Sequence, residues 1–139
     1  MSGKKLSSED IQLINFLEKA TGARATDVLV SGDSVIFVVA KGNLGLAIGR
    51  AGANIQKLRR MMAGKEVEIV EEASDVKELL THALSPAMLK GIEQNDRGEV
   101  IVSVDPKSKG LAIGRGGERI KRARVLAKRL FGVTEVRIV

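Results

Sequence analysis

One eleven-residue phrase occurs twice in this chain. GLAIGRAGANI at residues 45–55 returns as GLAIGRGGERI at residues 110–120, an offset of 65. Such a repeat constrains the fold strongly, because each copy must build the same supersecondary unit. The same offset aligns DSVIFVVA (33–40) with GEVIVSVD (98–105) and pairs Asn43 with Ser108, two residue types suited to capping a helix N-terminus. Past the glycines the register changes, and VEIV at 67–70 matches VRIV at 136–139 at an offset of 69. The second copy has therefore gained four residues in the helix between, about one helical turn. An insertion of that size keeps an apolar stripe in phase.

Each copy reads the same way. A leading helix is expected at Ser8–Ala20, with Leu13, Phe16, Leu17 and Ala20 apolar. Its shorter counterpart at 75–84 carries Val76, Leu79, Leu80 and Ala83 and is ended by Pro86. Strands are expected next at Ala25–Val30 and Val35–Val39, and again at Leu89–Glu93 and Val100–Val104. Gly32-Asp33 and Asn95-Asp96-Arg97-Gly98 are the hairpin turns between them. Then come a helix of about one turn, the glycine turn, a longer helix and a closing strand. Ile55, Leu58 and Met62 share one face of the first long helix, as do Ile120, Ala123, Ala127 and Phe131 of the second. Ile48 and Ile113 are expected to join Ile55 and Ile120 as core, with one edge lining a groove, and Met61 and Met62 to be half core. The order is α-β-β-α-α-β in 65 to 70 residues, with EEASD at 71–75 as the boundary. The units are thus 1–72 and 73–139, each α+β with a three-stranded sheet.

Physical chemistry gives the glycine turn two uses. Glycine permits positive φ, so the turn can be tight. It also removes bulk, so another backbone can approach. A helix begins just after the turn, and the free N–H groups of its first residues suit an anion. Arg50 and Arg115 sit at matching positions inside it. Charge collects at the same place. Residues 49–65 carry Arg50, Lys57, Arg59, Arg60 and Lys65 and no acid; residues 114–129 carry seven basic residues and only Glu118 against them. Those windows total +11 in a chain of net charge +6, so the remainder sums to −5. A basic surface of this kind suits a polyanion.

These residues carry a resemblance. Ile48-Gly49-Arg50-Ala51-Gly52-Ala53-Asn54-Ile55 and Ile113-Gly114-Arg115-Gly116-Gly117-Glu118-Arg119-Ile120 both fit I-G-x-x-G-x-x-I, the signature of the KH domain. That module grips about four nucleotides of single-stranded RNA with its GXXG loop. The element order resembles the type II, prokaryotic form. The tandem arrangement, the LAIGR-x-G phrasing and ALSPA at 83–87 resemble the NusA family of transcription termination/antitermination factors. Bacterial members add a polymerase-binding domain and an OB-fold domain before the KH pair, and 139 residues leave no room for them. A stand-alone pair is similar to the archaeal NusA-like proteins.

The resemblance implies regulation of transcription termination or antitermination by a cytoplasmic monomer that binds single-stranded RNA, both loops acting on one extended strand. RNA polymerase or other transcription factors are the further partners it implies. The residues assigned to RNA are Gly49, Arg50, Ala51, Gly52 and Lys57, and Gly114, Arg115, Gly116, Gly117, Arg119 and Arg122. The glycine turns supply backbone donors, and the basic side chains supply attraction that does not depend on sequence. About half the basic residues of the second long helix are expected on a solvated face, with Arg119 and Arg122, nearest the turn, toward phosphate. Arg59 and Arg124 lie at the edge of the apolar stripe, their stems packed and their heads in solvent.

Other classes fit less well. Neither copy has the Lys-Ser/Thr ending of a P-loop, and Gly114, Gly116 and Gly117 lack the third spacing of a dinucleotide fingerprint. There is no Cys, and His82 is the sole histidine, so no metal site, cofactor or catalytic triad is indicated and the chain is not an enzyme. Glu71, Glu72 and Asp75 read as a solvated, helix-starting run. Trp and Tyr are absent and Phe occurs three times, which argues against base stacking on aromatic platforms. The start, MSGKKLSSED, does not resemble a secretory leader, and no apolar run is long enough to span a membrane. Two alternatives stay open: a ribosome- or rRNA-processing-associated KH protein, and a protein-interaction scaffold whose turns no longer bind RNA. The basic surroundings of both turns speak against the scaffold.

Overall fold

A computed structural model describes residues 6–139. The described chain divides into two compact units between Glu72 and Ala73. The first five residues of the MSGKKLSSED start lie outside the described residues. No helix among those described is long and apolar enough to cross a membrane.

The first unit opens with α1 (Ser8–Thr21). Its start is a reciprocal cap: Ser7 Oγ accepts from the Asp10 amide and an Asp10 carboxylate oxygen accepts from the Ser7 amide, both at 3.1 Å. Its end is Gly22, left-handed at φ 78°, whose amide donates to Glu18 O. β1 (Ala25–Ser31) and β2 (Ser34–Val39) form an antiparallel hairpin around Gly32-Asp33. α2 (Leu44–Ile48), α3 (Ala53–Met61) and β3 (Glu66–Glu71) complete it. β3 runs parallel to β2, with Val35 opposite Val67 and Phe37 opposite Ile69. A parallel neighbour cannot be reached by a hairpin. The two short helices and the glycine turn are the crossover that makes it possible. Ile14 and Leu17 of α1, Val28, Val35, Phe37 and Val39 of the hairpin, Ala47 of α2, Leu58 of α3, and Val67 and Ile69 of β3 form one buried cluster.

The second unit repeats the plan with α4 (Val76–Ala83), β4 (Leu89–Gln94), β5 (Glu99–Val104), α5 (Lys109–Ile113), α6 (Glu118–Phe131) and β6 (Glu135–Ile138). Its sheet order is β4-β5-β6, again antiparallel then parallel. Val100 faces Val136, the same pairing as Val35 with Val67 seen through the two offsets of the repeat. Val76, Leu79, Leu80 and Ala83 are all buried, so the apolar face of α4 is the one its spacing indicates. Asp75 caps that helix by accepting from the Glu78 amide at 2.8 Å.

Several expectations need correction. Asn43 and Ser108 stand at helix N-caps, yet neither side chain bonds its own helix. Asn43 Oδ1 instead accepts from the Arg24 amide at 2.9 Å, and Ser108 Oγ from the Met88 amide at 3.0 Å. Arg24 and Met88 immediately precede β1 and β4, so both side chains fasten the entry of a first strand to the start of a short helix. The helix of the second copy gains five residues, not four: α6 has 14 residues against 9 in α3, and the link to the closing strand is one residue shorter. The left-handed Gly132 makes that sharper exit. Met61 is 54% exposed, and of the two adjacent methionines only Met62 packs on the core. Ile113 is also exposed, while Ile120 is buried and Ile48 and Ile55 are half-buried. The guanidinium groups of Arg59 and Arg124 are directed onto the closing strand rather than left in solvent. Arg59 Nε and Nη2 donate to Val67 O at 3.3 Å, and Arg124 Nε donates to Val136 O at 3.0 Å.

Leu58 is fully buried where α3 meets the sheet. Leu58→Ala should lower the unfolding free energy by about 2–5 kcal/mol, read from urea denaturation. Glu135 gives a second expectation. Its carboxylate accepts from the Val136 amide at 2.9 Å and pairs with Arg124 at 3.1 Å. The bond from the Val136 amide holds its pKa below the ordinary glutamate value, with burial opposing it and the charges of Arg124, Lys128 and Arg137 assisting. A depressed folded pKa stabilises the fold above the unfolded pKa, about 4.3, and the contribution is lost as pH falls through the folded value. Glu135→Gln should therefore flatten the stability–pH profile below about pH 4.5 and leave its shape unchanged above pH 6.

Candidate nucleic-acid interface

The candidate interface lies on the segments just after α2 and α5. Each of these helices ends at a glycine, Gly49 at φ 79° and ψ 169° and Gly114 at φ 78° and ψ 173°. Side chains rarely adopt that backbone conformation. A second restriction is spatial. A Cβ on Gly49 would stand 2.8 Å from the Asn54 backbone nitrogen, and one on Gly114 would stand 2.7 Å from Arg119 Cβ and 2.9 Å from its nitrogen. The first glycine is therefore needed because the next helix passes directly over it. The fourth is needed for φ alone: Gly52 (φ 76°) and Gly117 (φ 77°) are left-handed, with no atom closer than 3.8 Å to an added Cβ.

Between them the chain makes one 3-10 turn, Arg50–Gly52 in the first copy and Arg115–Gly117 in the second. The Gly52 amide donates to Gly49 O and the Ala53 amide to Arg50 O. The Gly117 and Glu118 amides do the same toward Gly114 and Arg115. This narrows the cradle expected from sequence. The Gly49 amide closes α2 onto Gly45 O, and the Gly114 amide closes α5 onto Gly110 O. A 3-10 turn has no internal acceptor for its first donors, so the turn itself leaves over the amides of Arg50 and Ala51, and of Arg115 and Gly116. Ala51 is the one non-glycine with positive φ among the described residues, at 53°, where the second copy has Gly116 at 62°.

Arg50, Ala51 and Lys57 are exposed, as are Arg115 and Gly116. Arg50 and Arg115 thus stand at the outer corner of each turn. Arg119 and Arg122 are half-buried and differ from that picture. Arg119 Nη1 donates to Leu111 O, in the helix before the turn. Asn54, its counterpart, reaches Leu46 O in the same way at 2.7 Å. This position clamps the two helices of the crossover together. Arg122 is likewise already engaged.

Two features escaped the sequence reading. The Cε of Lys121 lies 3.8 Å from where a Cβ on Gly117 would be, so this side chain folds back over the second turn. Leu46 and Leu111 are 50% and 46% exposed beside the turns, although both are apolar and repeated. Each sits beside a fully buried alanine, Ala47 or Ala112, in a five-residue helix. His82 is exposed on α4, and no group of His or acids that could hold a metal exists among the described residues.

The two glycine roles separate by measurement. Gly52→Ala should cost about 1–2 kcal/mol, the penalty of a left-handed alanine. Gly49→Ala should cost clearly more, because the Asn54 backbone must also move. Thermal unfolding of both variants gives the order, and equal costs would contradict the close approach.

The KH domain sequence profile matches residues 12–77 and 75–139. The probable transcription termination protein NusA of Halobacterium salinarum is 35% identical over 136 residues, covering 96% of this chain and 97% of that protein. The protein of the same name from Methanococcus vannielii is 33% identical, covering 97% of this chain and 79% of that one. The transcription termination/antitermination protein NusA of Thermus thermophilus matches only 90 residues, 22% of its length, at 33% identity. Among solved structures, the crystal structure of APE1850 superposes with a TM-score of 0.89 at 34% identity, covering 96% of this chain and 100% of that one. With two KH units, the repeated glycine turn and full-length matches to archaeal relatives, the chain belongs to the archaeal NusA-like family of tandem KH proteins.

Proposed function

We propose that this protein binds single-stranded RNA through its two glycine turns and thereby regulates transcription termination or antitermination. The observation that carries the reading is the turn itself. Twice, a glycine pair bends the chain so that two amides and one exposed arginine stand together at a helix start. Phosphate is the group that such donors and charge receive best. The process follows from the names of the archaeal relatives.

In this reading the turns position the sugar-phosphate backbone and do not read bases. Base preference arises beside each turn, where Leu46 and Leu111 offer apolar contact. With no Trp or Tyr in the chain, aliphatic packing replaces aromatic stacking. The protein carries out no reaction. It works in the cytoplasm as a monomer, with RNA polymerase or another transcription factor as a further partner.

Binding of a labelled single-stranded RNA pool over a salt series tests this. The comparison is a variant with Arg50→Asp, Ala51→Asp, Arg115→Asp and Gly116→Asp, checked for fold by circular dichroism. Asp tolerates positive φ better than most residues, so the turns should survive. Native affinity should fall with salt at a log–log slope of about 0.7 per phosphate contact, and the variant should bind at least about tenfold more weakly. Equal binding by native and variant would make the turns mere helix connections.

A further inference from the structure

The two turns share a backbone and differ in chemistry. Their corresponding φ and ψ angles agree within about ten degrees. A difference in what they bind must therefore come from side chains. In the first copy the residues after the turn are Ala53, Asn54, Ile55 and Gln56, all uncharged; in the second they are Glu118, Arg119, Ile120 and Lys121.

Glu118 is the notable substitution. It is exposed, it is the first residue of α6, and among the described residues no cation pairs with it. α3 has no acid in its first turn. An acid there stabilises its own helix end, yet it repels any phosphate drawn to the same amides. Arg119 does little to relieve this, since its guanidinium is directed onto Leu111 O. Lys121 folds over Gly117 and keeps the site attractive to an anion. The second turn therefore presents cations and an unpaired acceptor side by side, while the first presents cations and neutral groups.

Resting on the reading that both turns grip RNA, we infer that the first turn accepts any nucleotide phosphate and the second selects, with Glu118 as the selecting residue. A strand that brings only phosphate to the second turn meets repulsion. A nucleotide that also brings a hydrogen-bond donor satisfies the carboxylate and removes the penalty. This is specificity obtained by rejecting the wrong ligand. The donors a nucleotide can offer a carboxylate are the ribose 2′-hydroxyl, an exocyclic amino group such as N4 of cytosine, and the ring N–H of uracil or guanine.

The test uses the full chain with the first turn disabled by Arg50→Asp and Ala51→Asp, so that binding reports the second turn. Four short strands serve as probes: oligouridylate, oligodeoxyuridylate, oligocytidylate and oligodeoxycytidylate. Deoxyuridylate offers neither the 2′-hydroxyl nor an exocyclic amino group, only its ring N3–H, and should bind most weakly. If the 2′-hydroxyl is the donor, both ribo strands gain; if the amino group is, both cytidine strands gain. Adding Glu118→Ala, which copies Ala53, should tighten deoxyuridylate by about threefold or more and shrink the spread among the four strands. In the reciprocal chain, with Arg115→Asp and Gly116→Asp, Ala53→Glu should create a spread that the parent lacks. The inference is overturned if Glu118→Ala changes neither the affinity nor the spread. Undiminished binding by the chain with both turns disabled would overturn the RNA-grip reading as well, so the two failures are distinguishable.

Discussion

The close approach of a glycine to the helix after it organises each unit. A parallel strand pair needs a long crossover, and here two helices must fit within it. They can do so only if the chain reverses sharply between them. The missing Cβ of Gly49, or of Gly114, lets the backbone of residue 54 or 119 pass within about 3 Å of where that atom would be. With any side chain there, α3 could not start where it does. Leu58 would then lose its place against the sheet, and β3 its register with β2.

Around that contact, equivalent positions perform the same mechanical task, in two of three cases with different side chains. Asn54 and Arg119 clamp the two crossover helices, each donating to the carbonyl eight residues back. Asn43 and Ser108 hold the entry to the first strand. Arg59 and Arg124 bind the long helix to the closing strand. An intramolecular hydrogen bond contributes about 0.5–1.5 kcal/mol, and somewhat more when one partner is charged. Three such clamps per unit matter in domains of this size, because net stability is commonly only about 5–15 kcal/mol. That task and geometry persist while the side chain changes shows that these positions serve the fold.

Much of this was readable in the primary structure because periodicity and repetition report on burial. The offsets of 65 and 69 map the parallel pair Val35–Val67 of one unit onto the pair Val100–Val136 of the other. The apolar spacing of α4 named four buried residues. Clamps were not readable, because a polar residue at a helix boundary reads as a cap whether it bonds its own helix or a distant amide. Asn43 and Ser108 are of that kind. The helix gain was visible only as a net of four, since a longer α6 and a shorter exit cancel in part. Helical phase does not say which way a long, exposed side chain such as Lys121 folds. Leu46 and Leu111 were passed over because apolar residues default to the core in any pattern argument.

The same distinction revises the electrostatic reading of the surface. The total of +11 in the two windows treats every basic residue alike. Arg59, Arg119 and Arg124 turn their guanidinium groups onto backbone carbonyls, and Arg122 and Arg129 have partners of their own. Their charge still contributes to the long-range field that draws a polyanion in. They are poorly placed to form the short, directed contacts that hold a phosphate. In the proposed reading those fall to Arg50 and Arg115, to the amides beside them, and to Lys57 and Lys121, all of whose side chains are exposed. Attraction is thus spread over two whole helices, whereas contact narrows to a few groups at each turn. If RNA is held by so few contacts, one misplaced charge is a large fraction of the total, which is why the proposed selection at the second turn needs only the single carboxylate of Glu118.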